Sequence, residues 1–548
     1  MLTQLAAHAQ QPTGGTKDLG NEDITIVKDY TPVLNDAFKI NIIPSGDTSS
    51  MQPPVLTYQI DPKPVNSNYN ITPIKPVRIK DDNIKKLYRG WIKAGYGLEN
   101  MPLLDFSFNS LRSKNFDAGI HFNHLSSTGA IKDYGPPAIS SNELGLKGTR
   151  YFDKFSLGGE FNYDRDVVHY YGFKSPPDLF SKAETKHSMD DLSGAIKIQS
   201  LGFKKDQWQY AAGLGFYTFN DNRSLSENNV TLNAELSNTT NIGRLLVKAS
   251  IDAGNFKNDI ADYNRNIVRL NPQLTIAKDL YTLDIGANLA IEGNDGKSDF
   301  RLYPHVKGTY QVINDAFKVF AELTGNLKRN DMRTLSEVNP FYGEFAFPAN
   351  TNQKIILDGG AIVKLDHDVM FTASASLSKL KDQPYFYGYK DPIRPLEFSI
   401  FYDDVTQFTV KGELEYKMAE KVRVAFNAEF NSYNTKELEH PFYSPAFRFG
   451  LNGEYNIAEK IYLKANLFYN GEVYSYIQDA SIINIQEAPI QYEKVKGYFD
   501  ANLGVDYRFS KVLSFFANLN NIGFSQYFRY VNYPSYRFTG MIGGSYSF

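Results

Sequence analysis

From Tyr88 to Phe548 apolar and polar residues alternate with a period of two, segment after segment. In Tyr281–Glu292 the odd positions are Tyr281, Leu283, Ile285, Ala287, Leu289 and Ile291, while the even ones include Thr282, Asp284, Asn288 and Glu292. Lys421–Phe430 sets Val422, Val424, Phe426, Ala428 and Phe430 against Lys421, Arg423, Asn427 and Glu429. Phe447–Asn456 and Lys496–Arg508 repeat the pattern. Such segments are β-strands with one apolar face. The other face carries lysine, arginine, aspartate and glutamate in strand after strand, which suits a wet interior better than the packed core of a sandwich. Lys93, His305, Lys307, Arg423, Glu429, Arg448, Glu454, Asp500, Asp506 and Arg508 are the candidates for a charged, lumen-facing row.

The last residues sharpen this reading. Phe538, Gly540, Ile542, Gly544, Tyr546 and Phe548 share one parity, and Thr539, Met541, Gly543, Ser545 and Ser547 the other. A strand ending on an aromatic is what a closed membrane barrel requires, because its final strand must seal against the first. Phe538, Ile542, Tyr546 and Phe548 therefore read as the barrel-closing signal. No segment approaches the roughly 18 consecutive apolar residues of a membrane helix. Mean hydropathy is low, at −0.39, but a barrel strand meets lipid only at every second residue. Aromatics make up 14% of the chain, with 37 Tyr and 39 Phe against 2 Trp, which suits interfacial girdles. The near-balanced charge, 58 Lys+Arg against 61 Asp+Glu, gives no case for a nucleic-acid partner. With no cysteine there are no disulfides, thiolate metal sites or lipidated cysteine anchor.

Connections alternate in length. Tight turns are expected near 152–154, 204–206, 277–279, 313–315, 365–367, 418–420, 458–460 and 509–511. Longer connections are expected near 126–140, 166–188, 255–264, 330–350, 381–400, 434–444, 471–494 and 522–534. Short turns alternating with long loops is the periplasmic-to-extracellular asymmetry of an outer-membrane barrel. The expected fold is all-β: a transmembrane antiparallel up-and-down β-barrel of about 22 strands with a short Pro-rich N-terminal segment.

Three regions follow. Residues 1–9 read as a signal-peptide remnant, with Ala7-His8-Ala9 as a small-x-small cleavage pattern. Residues 10–86 are broken every few positions by prolines such as Pro32, Pro44, Pro53 and Pro54, which favours extended segments. Ile24, Ile26, Val27, Val33, Leu34, Phe38, Ile40, Ile42 and Ile43 make that stretch too apolar for a plain linker. It reads as a periplasmic or lumenal segment, a reduced plug. Residues 87–548 are the barrel.

Asn518–Asn521, Ile522-Gly523, Gln526-Tyr527-Phe528, Tyr533-Pro534, Arg537-Phe538 and Ser545-Tyr546-Ser547-Phe548 resemble the last two strands of TonB-dependent receptors. Leu302-Tyr303-Pro304-His305-Val306 resembles a mid-barrel strand of that family. The resemblance covers roughly Tyr88 to Phe548. It implies a 22-stranded barrel sealed by an N-terminal plug and preceded by a TonB-binding box. The sequence departs from the pattern in having fewer than 80 residues between the signal remnant and the barrel, without the plug's glycine-rich and arginine motifs. Asp23, Ile24, Thr25, Ile26 and Val27 are weakly similar to a TonB box.

Catalytic patterns are missing. His121 and His124, three apart, fall on opposite faces of a strand and cannot share a metal. His169, His187 and His440 read as solvated loop residues, and His305 as a lumenal hydrogen-bonding group. No Gly-x-Ser-x-Gly elbow is present. Glu292–Asp299 has the oxygen density of a cation loop, but its spacing departs from the calcium pattern and Asp295-Gly296 is an ordinary hairpin turn. Tyr385, Phe386, Tyr387 and Tyr389 read as an aromatic collar or as a stacking surface for a sugar or a protein.

The expected protein is not an enzyme and needs no cofactor. Its expected partners are outer-membrane lipid, a small solute, and either a periplasmic energy-coupling protein or other outer-membrane or lipoprotein subunits. A barrel of this size with an empty bore would breach the membrane, so the N-terminal segment, inward-folding loops or a second protein must fill it. The first functional reading is passage of a solute through a gated or partly plugged channel. The alternative is a non-transporting scaffold or accessory subunit of an outer-membrane complex.

Overall fold

The computed structural model describes residues 87–548 apart from 112, 175–178, 203–206, 295, 391–394 and 480–489. Residues 1–86, which hold the expected signal remnant, the Pro-rich segment and the TonB-box-like Asp23–Val27, lie outside the described residues. Twenty-two antiparallel strands close into one up-and-down barrel. They are β1 (Gly90–Gly97), β2 (Met101–Asn109), β3 (Phe116–Ser127), β4 (Ile139–Tyr151), β5 (Phe155–His169), β6 (Lys186–Ser200), β7 (Gln209–Asp221), β8 (Ser226–Thr239), β9 (Arg244–Lys257), β10 (Asp262–Ala277) and β11 (Tyr281–Asn294). The second half holds β12 (Lys297–Ile313), β13 (Phe317–Lys328), β14 (Thr351–Asp366), β15 (Val369–Lys390), β16 (Glu397–Met418), β17 (Val422–Thr435), β18 (Phe447–Ile457), β19 (Ile461–Asn470), β20 (Tyr498–Arg508), β21 (Leu513–Asn520) and β22 (Thr539–Ser547).

The alternation becomes a two-faced wall. Ile251, Leu270, Ile291, Leu302, Phe408, Phe426 and Ile542 stand exposed on the outer face, where they meet lipid. No helix among the described residues is long and apolar enough to cross a membrane.

The seam joins β1 to β22 from Trp91↔Ser547 to Gly97↔Met541. It ends in a reciprocal pair, Gly90 N–H to Phe548 O and Phe548 N–H to Gly90 O, both 2.9 Å. A Cβ at position 90 would lie 2.2 Å from the Phe548 ring, so a glycine there leaves room for the terminal aromatic. Ile542, Tyr546 and Phe548 face outward, and Phe538 stacks on Phe524 at the opposite rim, 4.9 Å between ring centroids.

Tight turns crowd the rim that carries Gly90 and Phe548. In the turn between β18 and β19, Ala458 and Glu459 both have left-handed backbones, φ 52° and 58°. That is the twist a two-residue hairpin needs, adopted without the usual Asn-Gly. Two connections at the other rim are tight, the first where a longer loop is expected near 255–264 and the second where a hairpin is expected. Asn258–Ala261 is a tight turn in which Asn258 Oδ1 accepts from the N–H groups of Ile260 (2.9 Å) and Ala261 (2.8 Å). Glu292–Asp299 is the hairpin between β11 and β12, with Gly296 at φ 83°. β15 and β16 run for 22 residues each and absorb most of the loop expected at 381–400. At about 3.3 Å per residue these strands far exceed the roughly 25 Å apolar band of a barrel.

Candidate functional site

The loops at the long-loop rim fold onto one another and build an apolar core of their own. Two short helices, α1 (Lys182–Thr185) and α2 (Met332–Val338), lie in these loops, and Met332 and Leu335 of α2, Tyr342, Phe398, Tyr530 and Tyr533 are among the buried members of that core. Phe341 stacks on Tyr533 at 4.1 Å, and Phe398 packs against Tyr530 at 5.3 Å. Each fully buried aromatic or aliphatic side chain is worth about 1.5–3 kcal/mol, so the cap coheres without help from lipid. Its polar tips are satisfied. The Tyr170 hydroxyl donates to Tyr342 O and the Tyr533 hydroxyl to Leu396 O, each at 2.5 Å. Burial pushes the Tyr342 and Tyr533 phenols well above their ordinary range, which keeps both protonated as donors. Tyr385 and Phe386 belong to this cap as buried residues. They form no exposed collar, because β15 extends beyond the apolar band and the cap covers its end; both instead line the chamber described below.

The 329–350 connection is a strap running from β13 across the inner wall of β6 to β10. Its anchor is buried and ionic. Arg265 on β10 donates from Nη1 to Glu227 Oε1 (3.1 Å) and from Nη2 to Asn330 O (2.5 Å) and Asn350 Oδ1 (2.7 Å). Glu227 Oε2 also accepts from Met332 N–H at 2.6 Å, at the first residue of α2. The Tyr217 hydroxyl donates to Asp331 at 3.1 Å, and Arg333 pairs with Asp191. At the far end Asn258 donates to Glu344 O (2.9 Å), Tyr263 to Pro348 O (3.1 Å) and Tyr402 to Phe347 O (2.8 Å). The strap is thus tied to both sides of the mouth.

His187, expected as a solvated loop residue, is fully buried at the outer end of β6. Its Nε2 lies 3.1 Å from Asp221 Oδ2, and its Nδ1 lies 2.9 Å from Pro340 O and 3.0 Å from the Tyr170 hydroxyl. The strand continues past the lipid, and the cap covers what the strand exposes. His169 reaches Thr185 at 3.0 Å, and His440 stacks on Tyr474 at 3.9 Å. His121 contacts Ser107 and His124 contacts Asn142, at 2.9 and 2.7 Å, with separate partners. No group of three or more potential metal ligands occurs among the described residues.

Opposite the strap, between α2 and the wall of β15 to β20, lies a lumenal chamber of about 1160 Å³. Tyr385, Phe386, Phe442 and Tyr530 roof it, Leu335 and Val338 of α2 form one side, and Lys411, Glu413, Glu429, Arg448 and Tyr498 form the other. Of the row read from sequence, Glu429 and Arg448 line this chamber and stand opposite each other across β17 and β18. The others are dispersed along the inner face. Lys93 Nζ sits 4.1 Å over the Phe516 ring, and His305 Nδ1 is 3.3 Å from Thr324. Lys307 pairs with Glu322 (3.0 Å) and Arg423 with Glu415 (2.9 Å). Glu454 stands opposite Arg423 and Lys464 in register. Asp500 accepts from the Tyr527 hydroxyl (2.8 Å), Asp506 pairs with Lys464 (2.9 Å), and Arg508 lies 4.1 Å over the Tyr462 ring. Glu227, Arg265 and Asp331 escaped the sequence reading. Arg265 meets Glu227 across 38 residues and Tyr217 meets Asp331 across 114, so no local spacing marks these contacts, although Asp331 also caps α2 by accepting from Thr334 N–H at 2.9 Å.

A closed barrel of twenty-two strands with an outward apolar face is an outer-membrane architecture, and known structures say which kind. No family model matches the chain, and no curated protein matches it in sequence. Solved structures do. The ferric-catecholate import receptor Fiu of E. coli K12 superposes with a TM-score of 0.62 at 10% identity, over 84% of this chain and 82% of Fiu. The FrpB iron transporter of Neisseria meningitidis gives 0.64 at 10%, over 85% and 82%. The ferripyoverdine receptor of Pseudomonas aeruginosa gives 0.63 at 11%, over 84% and 72%. These neighbours are TonB-dependent receptors, transporters and receptors rather than enzymes. The chain has the TonB-dependent-receptor type of barrel and the architecture of an integral outer-membrane protein.

Proposed function

We propose that the protein takes up a solute across the outer membrane, holding it in the lumenal chamber beneath a cap that opens and closes. The observation that carries this reading is the chamber itself, a volume of about 1160 Å³ left inside a barrel whose outer mouth its own loops cover. A scaffold has no need of a preserved cavity lined by charged and aromatic groups, whereas a binding site does. The likeness of the barrel to import receptors supports the same direction. Residues 10–86 are the proposed second closure, a reduced plug, on the strength of apolar residues that need a surface to bury against.

Single-channel recording in planar bilayers tests this with the full chain and a version lacking residues 10–86. Silence from the full chain and large conductance after deletion is the expected result. Conductance from both would mean an open pore. Silence from both, with partner proteins co-purifying at fixed stoichiometry, would put the scaffold reading ahead.

A further inference from the structure

Lys93 and Arg508 sit singly on the inner face over aromatic rings, whereas the chamber gathers several cations into one cavity. Arg448, Lys496 and Arg529 line it, and none of them has an ion-pair partner among the described residues. Elsewhere on the inner face and under the cap, Arg223, Arg265, Arg269, Arg301 and Arg333 each pair with a carboxylate. Three more cations line the chamber, Lys328, Arg329, which pairs with Asp331, and Lys411, shared with Glu429 at 3.7 Å; Glu413 is the other carboxylate of the lining. The whole chain carries a net charge of −3, so an excess of cations in the chamber runs against the overall balance. Tyr498 lies within electrostatic reach of Arg448 and Arg529, and also of Asp500, which is occupied by the Tyr527 hydroxyl at 2.8 Å. Tyr527 backs it in a parallel stack at 4.0 Å, which gives the cationic patch a fixed aromatic ring.

We propose that the chamber is a site for an organic polyanion, bound by Arg448, Lys496 and Arg529 and packed against Tyr498. Low-dielectric walls focus the field of unneutralised cations into the cavity. Guanidinium groups left without carboxylates keep their forks of N–H donors for carboxylate, sulfonate or phosphate oxygens. The aromatic ring favours a ligand with a flat face. The inference rests on the uptake reading for its biological sense, but the binding site stands or falls by itself.

The probe is pyranine, a trisulfonated pyrene dye, titrated by fluorescence anisotropy against the full-length protein in detergent. A cationic dye of similar size serves as its counterpart. Saturable pyranine binding is expected, with affinity falling at least tenfold in Arg448→Gln/Arg529→Gln and retained largely in Arg448→Lys/Arg529→Lys. Heat-modifiable migration on gels reports whether each variant is a folded barrel. If the double variant fails that check, Lys496→Gln replaces it, with a severalfold loss expected. Equal binding of the cationic dye, or unchanged pyranine affinity in the glutamine variants, overturns the proposal. Flux from dye-loaded proteoliposomes is scored separately. Pyranine binding without flux keeps the anion site and removes the uptake reading. Flux of a neutral sugar without pyranine binding keeps uptake and removes the anion site.

Discussion

The inner wall from β6 to β10 and the inner wall from β15 to β20 are made of the same alternating strands, yet they use part of their charge differently. On the first wall arginines meet carboxylates, and the strap rests on the result: Arg265 joins Glu227, Asn330 and Asn350 in one buried cluster. On the second, Arg423, Lys464 and Lys411 still meet carboxylates, but Arg448 of β18, with Lys496 and Arg529 from the adjoining loops, faces the chamber without a carboxylate partner among the described residues. A neutralised, buried pair fixes a structure, because removing one member strands the other charge out of water. An unpaired cation in a wet cavity contributes little to folding and is available to a ligand. One wall is built to hold a loop, the other to hold something that comes and goes.

The comparison breaks first at Arg265. Arg265→Ala leaves the buried Glu227 with only Arg329, 3.9 Å away, as a counter-charge, with a cost of about 3 kcal/mol. The expected outcome is a strap cut by protease within 329–350 while the barrel still migrates as folded, together with new channel openings in bilayers. A strap that stays protected would mean that the apolar cap alone holds it. Met332→Ala comes next. Met332 is fully buried in the cap, and its truncation should cost about 2–5 kcal/mol, seen as earlier loss of strap protection in denaturant. Ala458→Asn with Glu459→Gly concerns neither wall and serves as a control on the scaffold. It relieves two left-handed residues and should raise the melting temperature of the heat-modifiable form, by a gain on the order of 1 kcal/mol. Arg448→Ala completes the series. It should leave stability within about 0.5 kcal/mol of the parent, and a larger loss would show that the second wall is structural after all.

How much of this was legible in the sequence follows from what is periodic and what is not. Strand faces were legible because every second residue reports the same environment, as in Tyr281–Glu292 and Phe447–Asn456. The turn at 458–460 was legible as a polar break between two alternating runs, although nothing announced its left-handed Ala458 and Glu459. The outer half of the long strands was misread. Tyr385 and Phe386 look like interfacial aromatics, but β15 carries them past the lipid and into the cap. His187 fails for the same reason. Loop length near 258 was misjudged because one side chain, Asn258, folds the turn by bonding its own neighbours. The chamber was invisible in principle. Glu429 and Arg448 were read as lumen-facing, but their neighbourhood depends on where the strap lies, and the strap's anchors have no sequence period.

Most barrel strands pair with their sequence neighbours, whereas the cap is joined across the chain. Tyr530 reaches Val338 over 192 residues, Tyr170 reaches Tyr342 over 172, and Tyr533 reaches Leu396 over 137. Contacts of such separation form late, because long loops must close before they are rewarded. Two of the three use the connection leading into β22, the strand that also completes the seam with β1. Assembly therefore has a direction in time: a growing sheet of hairpins with an open mouth, then a final strand that joins the wall to itself and delivers Tyr530 and Tyr533 to the lid. The barrel becomes a closed cylinder and a covered one in the same event.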